Sequence, residues 1–156
     1  MQVSLRTILL AVVTVSATSW AADNPLAGTW KLNVAKSKFS PGPPPKSRTF
    51  KFEPSGNNQV KLISDIVTAE GEATHTEGSD LLDGKEHPVA NSPAMDSATS
   101  SRVDAYTTER IEKKGGKVVS TIRRAVSKDG KTLTLTVKGT DGQGRAVSNV
   151  LLFDKQ

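Results

Sequence analysis

Three glycine-containing turns in the last third of the chain constrain its fold more than any other feature. Residues 105–154 read as four strands, and three short connections join them: residues 113–116, 128–131 and 140–144. Asp-Gly between alternating apolar segments is the strongest short-range hairpin signal, because a type I′ turn needs positive φ at both central residues. The sequence therefore predicts a four-stranded antiparallel meander here.

The middle turn predicts which side chains face the core. A two-residue Asp129-Gly130 loop gives three pairs: Ile122 with Val137, Arg124 with Leu135, and Val126 with Leu133. Side chains alternate along a strand, so these residues share one face. The opposite face carries mainly polar residues: Thr121, Arg123, Ala125, Thr132, Thr134, Thr136 and Lys138. One buried and one wet face are typical of an antiparallel sheet.

The two outer turns extend this register. A Lys114-Gly115 loop would place three residues of the preceding strand on the inner face: Thr107, Glu109 and Ile111. The third turn leaves two inner sets open, of which Val147, Leu151 and Phe153 are favoured over Ala146, Val150 and Leu152. A slip of one residue would move every side chain of a strand to the other face.

The earlier part of the chain also reads as short strands. They are predicted at residues 28–34, 47–53, 59–68, 72–77, 79–82, 85–89 and 97–103, with 85–89 pairing back onto 79–82. Prolines make residues 35–46 a rigid connection, because proline donates no ladder hydrogen bond. Strands at this spacing without long crossovers predict an all-β fold, an antiparallel up-and-down β-barrel of about 8–10 strands. A β-sandwich is the alternative.

The first residues are predicted to be a targeting segment and not part of the fold. Arg6 precedes an apolar stretch at residues 7–19, and Ser19 and Ala21 are small residues at the −3 and −1 positions of a cleavage site before Ala22. This pattern is typical of a secretory signal peptide over residues 1–21, with a membrane anchor as the alternative. One domain over residues 22–156, exported to the periplasm or secreted, is therefore expected.

Composition excludes several classes of protein. The chain has 156 residues, a formal charge of +5 and no cysteine, so neither a disulfide framework nor a cysteine-anchored lipoprotein is possible. Its lysines and arginines are dispersed and its aromatic residues are few, which does not favour nucleic acid. We expect a monomer with no membrane anchor after cleavage.

Several short motifs together resemble a known family. Gly28-Thr29-Trp30 at the start of the first strand resembles the Gly-x-Trp signature of lipocalins. Further segments resemble small exported bacterial proteins of lipocalin-like type: 83–85, 87–89, 127–134, 139–141 and 149–150. The resemblance implies a barrel that is closed where Trp30 packs, with a cup for a small apolar molecule. Lipocalins place an arginine over that tryptophan, and here only Lys155 is available.

Arg124 is the most informative candidate site residue. The predicted register places it among apolar side chains, where an unpaired guanidinium is costly. It could bind the anionic head of a ligand, pair with Glu109 on the neighbouring strand, or lie at the barrel rim. The candidate ligand-binding set contains eight residues: Trp30, Phe50, Phe52, Leu62, Glu109, Ile122, Arg124 and Leu135. The aromatic members could equally be core.

No arrangement of residues typical of catalysis or metal binding is found. His75 and His87 are the only histidines, and they lie apart on polar segments without metal-ligand spacing. No nucleophile, base and orienting group can be assigned, so neither an enzyme nor a cofactor is expected. Two hypotheses remain: a binding protein for a small hydrophobic or amphiphilic ligand, and an interaction module whose barrel is filled by its own side chains.

Overall fold

A single antiparallel sheet contains all the strands in the described part of this computed structural model, residues 24–56 and 58–156. The ten strands are β1 Gly28–Lys38, β2 Ser47–Pro54, β3 Gln59–Val67, β4 Ala73–Leu81, β5 Glu86–Pro88, β6 Ser97–Asp104, β7 Thr107–Lys114, β8 Lys117–Val126, β9 Thr132–Thr140 and β10 Ala146–Lys155. Within the same residues, no helix is long and apolar enough to cross a membrane.

The strand order is an up-and-down meander that curls back on itself. Neighbours in sequence pair throughout except for β4 and β5, and β1 also pairs with β10. The sheet is therefore continuous from β4 through β1 and β10 to β5, and the gap between β4 and β5 is its only opening in the described residues. The predicted all-β, up-and-down barrel of 8–10 strands is confirmed.

The core fills one end of this half-barrel. Trp30, Leu133 and Phe153 are completely buried there, and the rings of Phe50 and Phe153 lie 5.1 Å apart. The Trp30 indole Nε1 donates a hydrogen bond of 2.8 Å to the Leu26 carbonyl, so its one polar atom is satisfied. The Lys155 ammonium lies 5.1 Å from the centroid of the Trp30 ring. Lys155 thus occupies the position over Trp30 that the lipocalin resemblance assigns to an arginine.

Two of the three register predictions agree with the structure. In the β8–β9 pair, Ile122 lies opposite Val137, and Arg124 opposite Leu135. In β10 the buried residues are Leu151 and Phe153, the favoured set, while Val150 is exposed. The middle connection is longer than the predicted two residues, since Ser127 N–H bonds to the Thr132 carbonyl. A two-residue and a four-residue loop centred on the same point give the same register.

The register predicted for the β7–β8 hairpin is wrong. The turn contains Gly115 and Gly116, and a β-bulge at Val119 inserts one extra residue, so that Glu112 pairs with Ser120. A bulge exchanges the two faces of one strand relative to its partner. Glu109 therefore lies opposite Arg123, on the outer face, and cannot pair with Arg124. The inner face of β7 carries Thr108, Arg110 and Glu112 instead.

Two predictions about the middle of the chain also need correction. Residues 72–77 and 79–82 were expected as separate strands, but β4 runs without interruption from Ala73 to Leu81 because every one of its residues pairs with β3. Residues 85–89 were expected to pair back onto 79–82, but β5 pairs with β6. This second difference leaves β4 and β5 without a ladder between them and so creates the gap. The predicted signal peptide lies outside the described residues.

Candidate functional site

A cavity of about 740 Å³ lies inside the half-barrel, next to the core. Its apolar lining includes Phe50, Leu62, Ile122, Leu135 and Val137, which come from strands β2, β3, β8 and β9. Alternation along these strands places their side chains inward. The cavity therefore lies between the two walls of the curled sheet.

The cavity extends to the gap between β4 and β5, which have no ladder between them. Thr76, Gly78 and Asp80 of β4 contribute to its lining from one side, and His87 and Pro88 of β5 contribute from the other. Since no backbone ladder joins β4 to β5, the gap borders the cavity along these strands.

The structure brings together five of the eight predicted site residues. Those that line the cavity are Phe50, Leu62, Ile122, Arg124 and Leu135. Trp30 and Phe52 belong to the buried core at the closed end. Glu109 lies on the outer face for the reason given above.

Arg124 has an acidic partner that differs from the predicted one. It is only 5% exposed, and its Nη1 donates a hydrogen bond of 2.8 Å to Oδ2 of Asp80. The other Asp80 oxygen, Oδ1, accepts a hydrogen bond from Nη1 of Arg110. Arg110 Nε in turn donates to Glu112 at 2.9 Å. We call these four side chains the Asp80 cluster. Burial of two carboxylates and two guanidiniums is tolerable here because each charge has a hydrogen-bonded partner.

The Asp80 cluster joins the two sides of the gap. Asp80 is the only buried side chain of β4, whereas its two arginine partners stand on β7 and β8, at the other end of the sheet order. Just after β4 the backbone also contacts the other side of the gap: the Gly84 N–H donates a hydrogen bond of 3.0 Å to the Ser100 carbonyl of β6. The side chains of the Asp80 cluster and this backbone hydrogen bond thus connect the two sides of the gap, which no strand ladder joins.

Arg48 of β2 also lines the cavity, and its environment differs from that of the cluster. Its guanidinium lies 4.3 Å from the centroid of the Phe50 ring, while its buried Nε has no hydrogen-bond partner. Burial, and then the positive charge of Arg124, lower the pKa of Arg48 to about 10. Arg48 therefore still carries its charge at neutral pH.

Sequence reasoning missed Arg48, Asp80 and Arg110 as cavity residues. Arg48 could have been found, because it stands two positions before Phe50 and so shares its face. Arg110 could not, because the bulge that turns it inward has no signature in the sequence. Asp80 was missed because residues 79–82 were predicted as a separate short strand, for which no inward face was assigned.

The two histidines lie outside the ionic cluster in the cavity. His75, on the exposed β4, contacts Asp65 at 2.6 Å and Glu77 at 3.4 Å, and these hydrogen bonds, first to Asp65 and then to Glu77, raise the pKa of the imidazole. His87 contacts Asp83 at 3.0 Å. No group of three His, Cys, Asp or Glu residues that could hold a metal ion occurs within residues 24–56 and 58–156.

Comparison with known proteins identifies the fold. No protein-family model matches the sequence, and no curated protein matches it. A point mutant of the fluorescent protein UnaG is similar, with a TM-score of 0.59 and 16% identity over 85% of this chain and 96% of that one. As-p18, an extracellular fatty acid binding protein, has a TM-score of 0.52 and 17% identity over 85% of this chain and 97% of that one. The chain therefore has the fold of these β-barrel proteins.

Proposed function

We propose that this chain is a binding protein that holds a small hydrophobic or amphiphilic molecule inside the half-barrel. The observation that carries the proposal is the cavity of about 740 Å³ with an apolar wall and a few polar groups. Pockets for small molecules are typically ~300–1,000 Å³ and combine apolar lining with a few polar groups that orient the ligand. A barrel filled by its own side chains, the alternative hypothesis, would not contain this volume.

Two further observations support binding over catalysis. Four charged residues of the cavity lining bind one another in the Asp80 cluster, and within the described residues no hydrogen bond joins a serine of the lining to a histidine or a carboxylate. As-p18, which has the same fold, is a fatty acid binding protein. The ligand class proposed here is correspondingly a small molecule with an extended apolar part.

Native mass spectrometry tests the proposal directly. The chain is expressed with its N-terminal segment, purified without detergent, and measured before and after denaturation. A small molecule that co-purifies, or that is taken up when dodecanoate is added, supports the proposal. A bare chain that takes up neither dodecanoate nor an apolar dye contradicts it.

A pair of tryptophan substitutions on one strand shows whether binding occurs in the cavity. Leu62 lines the cavity, whereas the adjacent Ile63 points to the other face of β3. Leu62→Trp should fill part of the volume and weaken binding of the apolar dye N-phenylnaphthylamine by about tenfold, about 1.4 kcal/mol. Ile63→Trp adds the same bulk outside and should leave binding unchanged. Equal effects of the two variants would mean that the dye binds elsewhere.

We also propose that the protein is exported, as one of the small bacterial proteins of lipocalin-like type that its motifs resemble. The support is the basic start, the apolar residues 7–19 and the small residues Ser19 and Ala21. Expression in a bacterial host followed by fractionation and N-terminal sequencing tests this proposal. Export with cleavage before Ala22 is the expected result, and an uncleaved chain in the cytoplasm would contradict it.

A further inference from the structure

The charges that face the cavity do not balance. The arginines of its lining are Arg48, Arg110 and Arg124, and the carboxylates that accompany them on the inner face are Asp80 and Glu112. His87 also lines the cavity, but it contacts Asp83 in the loop after β4. Glu77 is also near, but its carboxylate is engaged outside the cavity by Lys61 and His75. The described inner surface therefore carries one more positive charge than negative charge.

The surplus charge can be assigned to Arg48. Arg110 and Arg124 both bind Asp80, and Arg110 also binds Glu112, so these two arginines and two acids neutralise each other. No ion pair within the described residues includes Arg48, and its Nε is buried without an acceptor. A buried donor without an acceptor in the protein is destabilising unless a water or another molecule satisfies it, so the Nε of Arg48 is available to an acceptor on a ligand.

The position of Arg48 suits recognition of an anion. Its guanidinium lies over the Phe50 ring, 4.3 Å from the centroid, and a guanidinium placed over an aromatic ring can still donate hydrogen bonds from its edges. A guanidinium held in this way can bind a carboxylate, sulfonate or phosphate with two parallel hydrogen bonds.

We propose that Arg48 is the anion-recognition residue of the cavity, and that the ligand is an amphiphile with one negatively charged head group. This inference rests on the proposed binding function and adds the charge and placement of the ligand to it. The head group lies against Arg48 on β2, and the apolar part lies along Leu62, Ile122 and Leu135. Arg124, the residue that the sequence singled out for this role, is occupied by Asp80.

A matched pair of fluorescent dyes tests the charge preference on the unmodified chain. Anilinonaphthalene sulfonate and N-phenylnaphthylamine share their aromatic rings, and only the first carries a sulfonate. The chain should bind the sulfonate at least about tenfold more tightly, since a charge-assisted pair in a partly buried site contributes on that scale. In displacement of the neutral dye, dodecanoate should outcompete dodecanol, and acetate, which lacks the tail, should not compete.

Three variants assign the preference to one residue. Arg48→Met keeps the length of the side chain and removes the charge, so it should weaken binding of the sulfonate about tenfold and leave the neutral dye unaffected. Arg48→Lys keeps the charge without the planar fork and should give an intermediate loss. Arg123→Met is the matched control, since Arg123 is an exposed arginine on the outer face of β8 and its loss changes the net charge equally.

The outcomes separate this inference from the proposed function. If both dyes bind the unmodified chain equally, or if Arg48→Met and Arg123→Met weaken sulfonate binding to the same extent, the role of Arg48 is overturned while binding in the cavity stands. If neither dye binds, the proposed function and this inference both fail. If Arg48→Met does not fold, the dye pair and the alkyl series on the unmodified chain still decide whether the cavity prefers an anion.

Discussion

Asp80 is the one buried residue of β4. Its two carboxylate oxygens bind two different arginines, and it is 8% exposed, so its removal would leave the buried Arg124 without its counter-charge and Arg110 with Glu112 alone. The net free energy that a buried ion pair adds is small, but loss of one partner is costly because the other charge stays buried.

We therefore expect Asp80→Asn to lower the free energy of unfolding by about 3–5 kcal/mol, because the asparagine keeps the shape and removes the charge. Urea denaturation followed by circular dichroism measures this change. The control is Glu86→Gln, which removes the partner of Lys113 from an exposed ion pair and should cost less than about 1 kcal/mol. If the two variants lost similar stability, Asp80 would not be the residue that holds the two arginines.

His75 gives a prediction about pH. Its hydrogen bond to Asp65 is the main cause that raises its pKa above the ordinary value of 6.5, and the bond to Glu77 acts in the same direction. The folded state therefore holds this proton more tightly than the unfolded chain does. The stabilisation is fully present below about pH 6.5 and is lost as the pH rises through the raised folded-state pKa.

An NMR titration of the two histidines should show the His75 pKa above 6.5. Asp65→Asn removes the first of the two carboxylates and should bring the His75 pKa back towards its ordinary value. Asp83→Asn, which alters the partner of His87 instead, should leave the His75 titration unchanged. A His75 pKa that does not respond to Asp65→Asn would show that the contact is absent in solution.

At the scale of the elements, the bulge in β8 decides which residues of β7 face the cavity. Its extra residue, Val119, brings the backbone of β8 against Gly139 on β9. A Cβ atom at position 139 would lie 2.2 Å from the Val119 carbonyl oxygen and 2.8 Å from the Ser120 Cα. Both neighbours are backbone atoms, so only glycine fits beside the bulge.

Gly139→Ala should accordingly destabilise the fold by about 3 kcal/mol, because either the bulge or the β8–β9 pairing must shift. Thermal and urea unfolding measure this loss. Gly78→Ala is the matched control within a strand, since a Cβ there meets nothing within 4 Å, and it should change stability by less than about 1 kcal/mol. A harmless Gly139→Ala would mean that the bulge moves readily.

The sequence predicts the fold well where turn chemistry and alternation agree. At the β8–β9 hairpin the loop is longer than expected, yet the register is right because loops that differ by two residues about the same centre keep the same pairs. At the β7–β8 hairpin a single inserted residue exchanges the faces, and Arg110 instead of Glu109 points inward. Local sequence does not report such an insertion, because the residue that leaves room for it, Gly139, lies on another strand.

The candidate site is predictable to the extent that it depends on those registers. Ile122, Arg124 and Leu135 are identified from the Asp-Gly turn, and Phe50 and Leu62 from alternation. The counter-charge of Arg124 is not predictable, because Asp80 lies 44 residues away in sequence and meets it only when the sheet curls. Once that partner is known, Arg48 is the arginine of the cavity lining that has no ion pair with any residue that the structure describes.

At the scale of the whole molecule, two different kinds of interaction close the half-barrel. On one side β1 pairs with both β2 and β10, so a continuous ladder joins the first strand of the chain to the last. On the other side β4 and β5 have no ladder between them, and the Asp80 cluster and the loop after β4 hold that side together. Side-chain contacts open more easily than a ladder, so local opening should concentrate at the gap.

Hydrogen exchange should show this difference in closure. Amides of β4 and β5 that face the gap have no partner strand and should exchange much faster than those of β10, which lies between β1 and β9. Saturation with anilinonaphthalene sulfonate should slow exchange in β4 and β5 most, because the cavity borders these strands and a bound ligand would bridge them. The amides of β10 serve as the internal control. Equal slowing in all strands would instead mean that the ligand stabilises the molecule globally, and that the gap between β4 and β5 is not where the half-barrel opens.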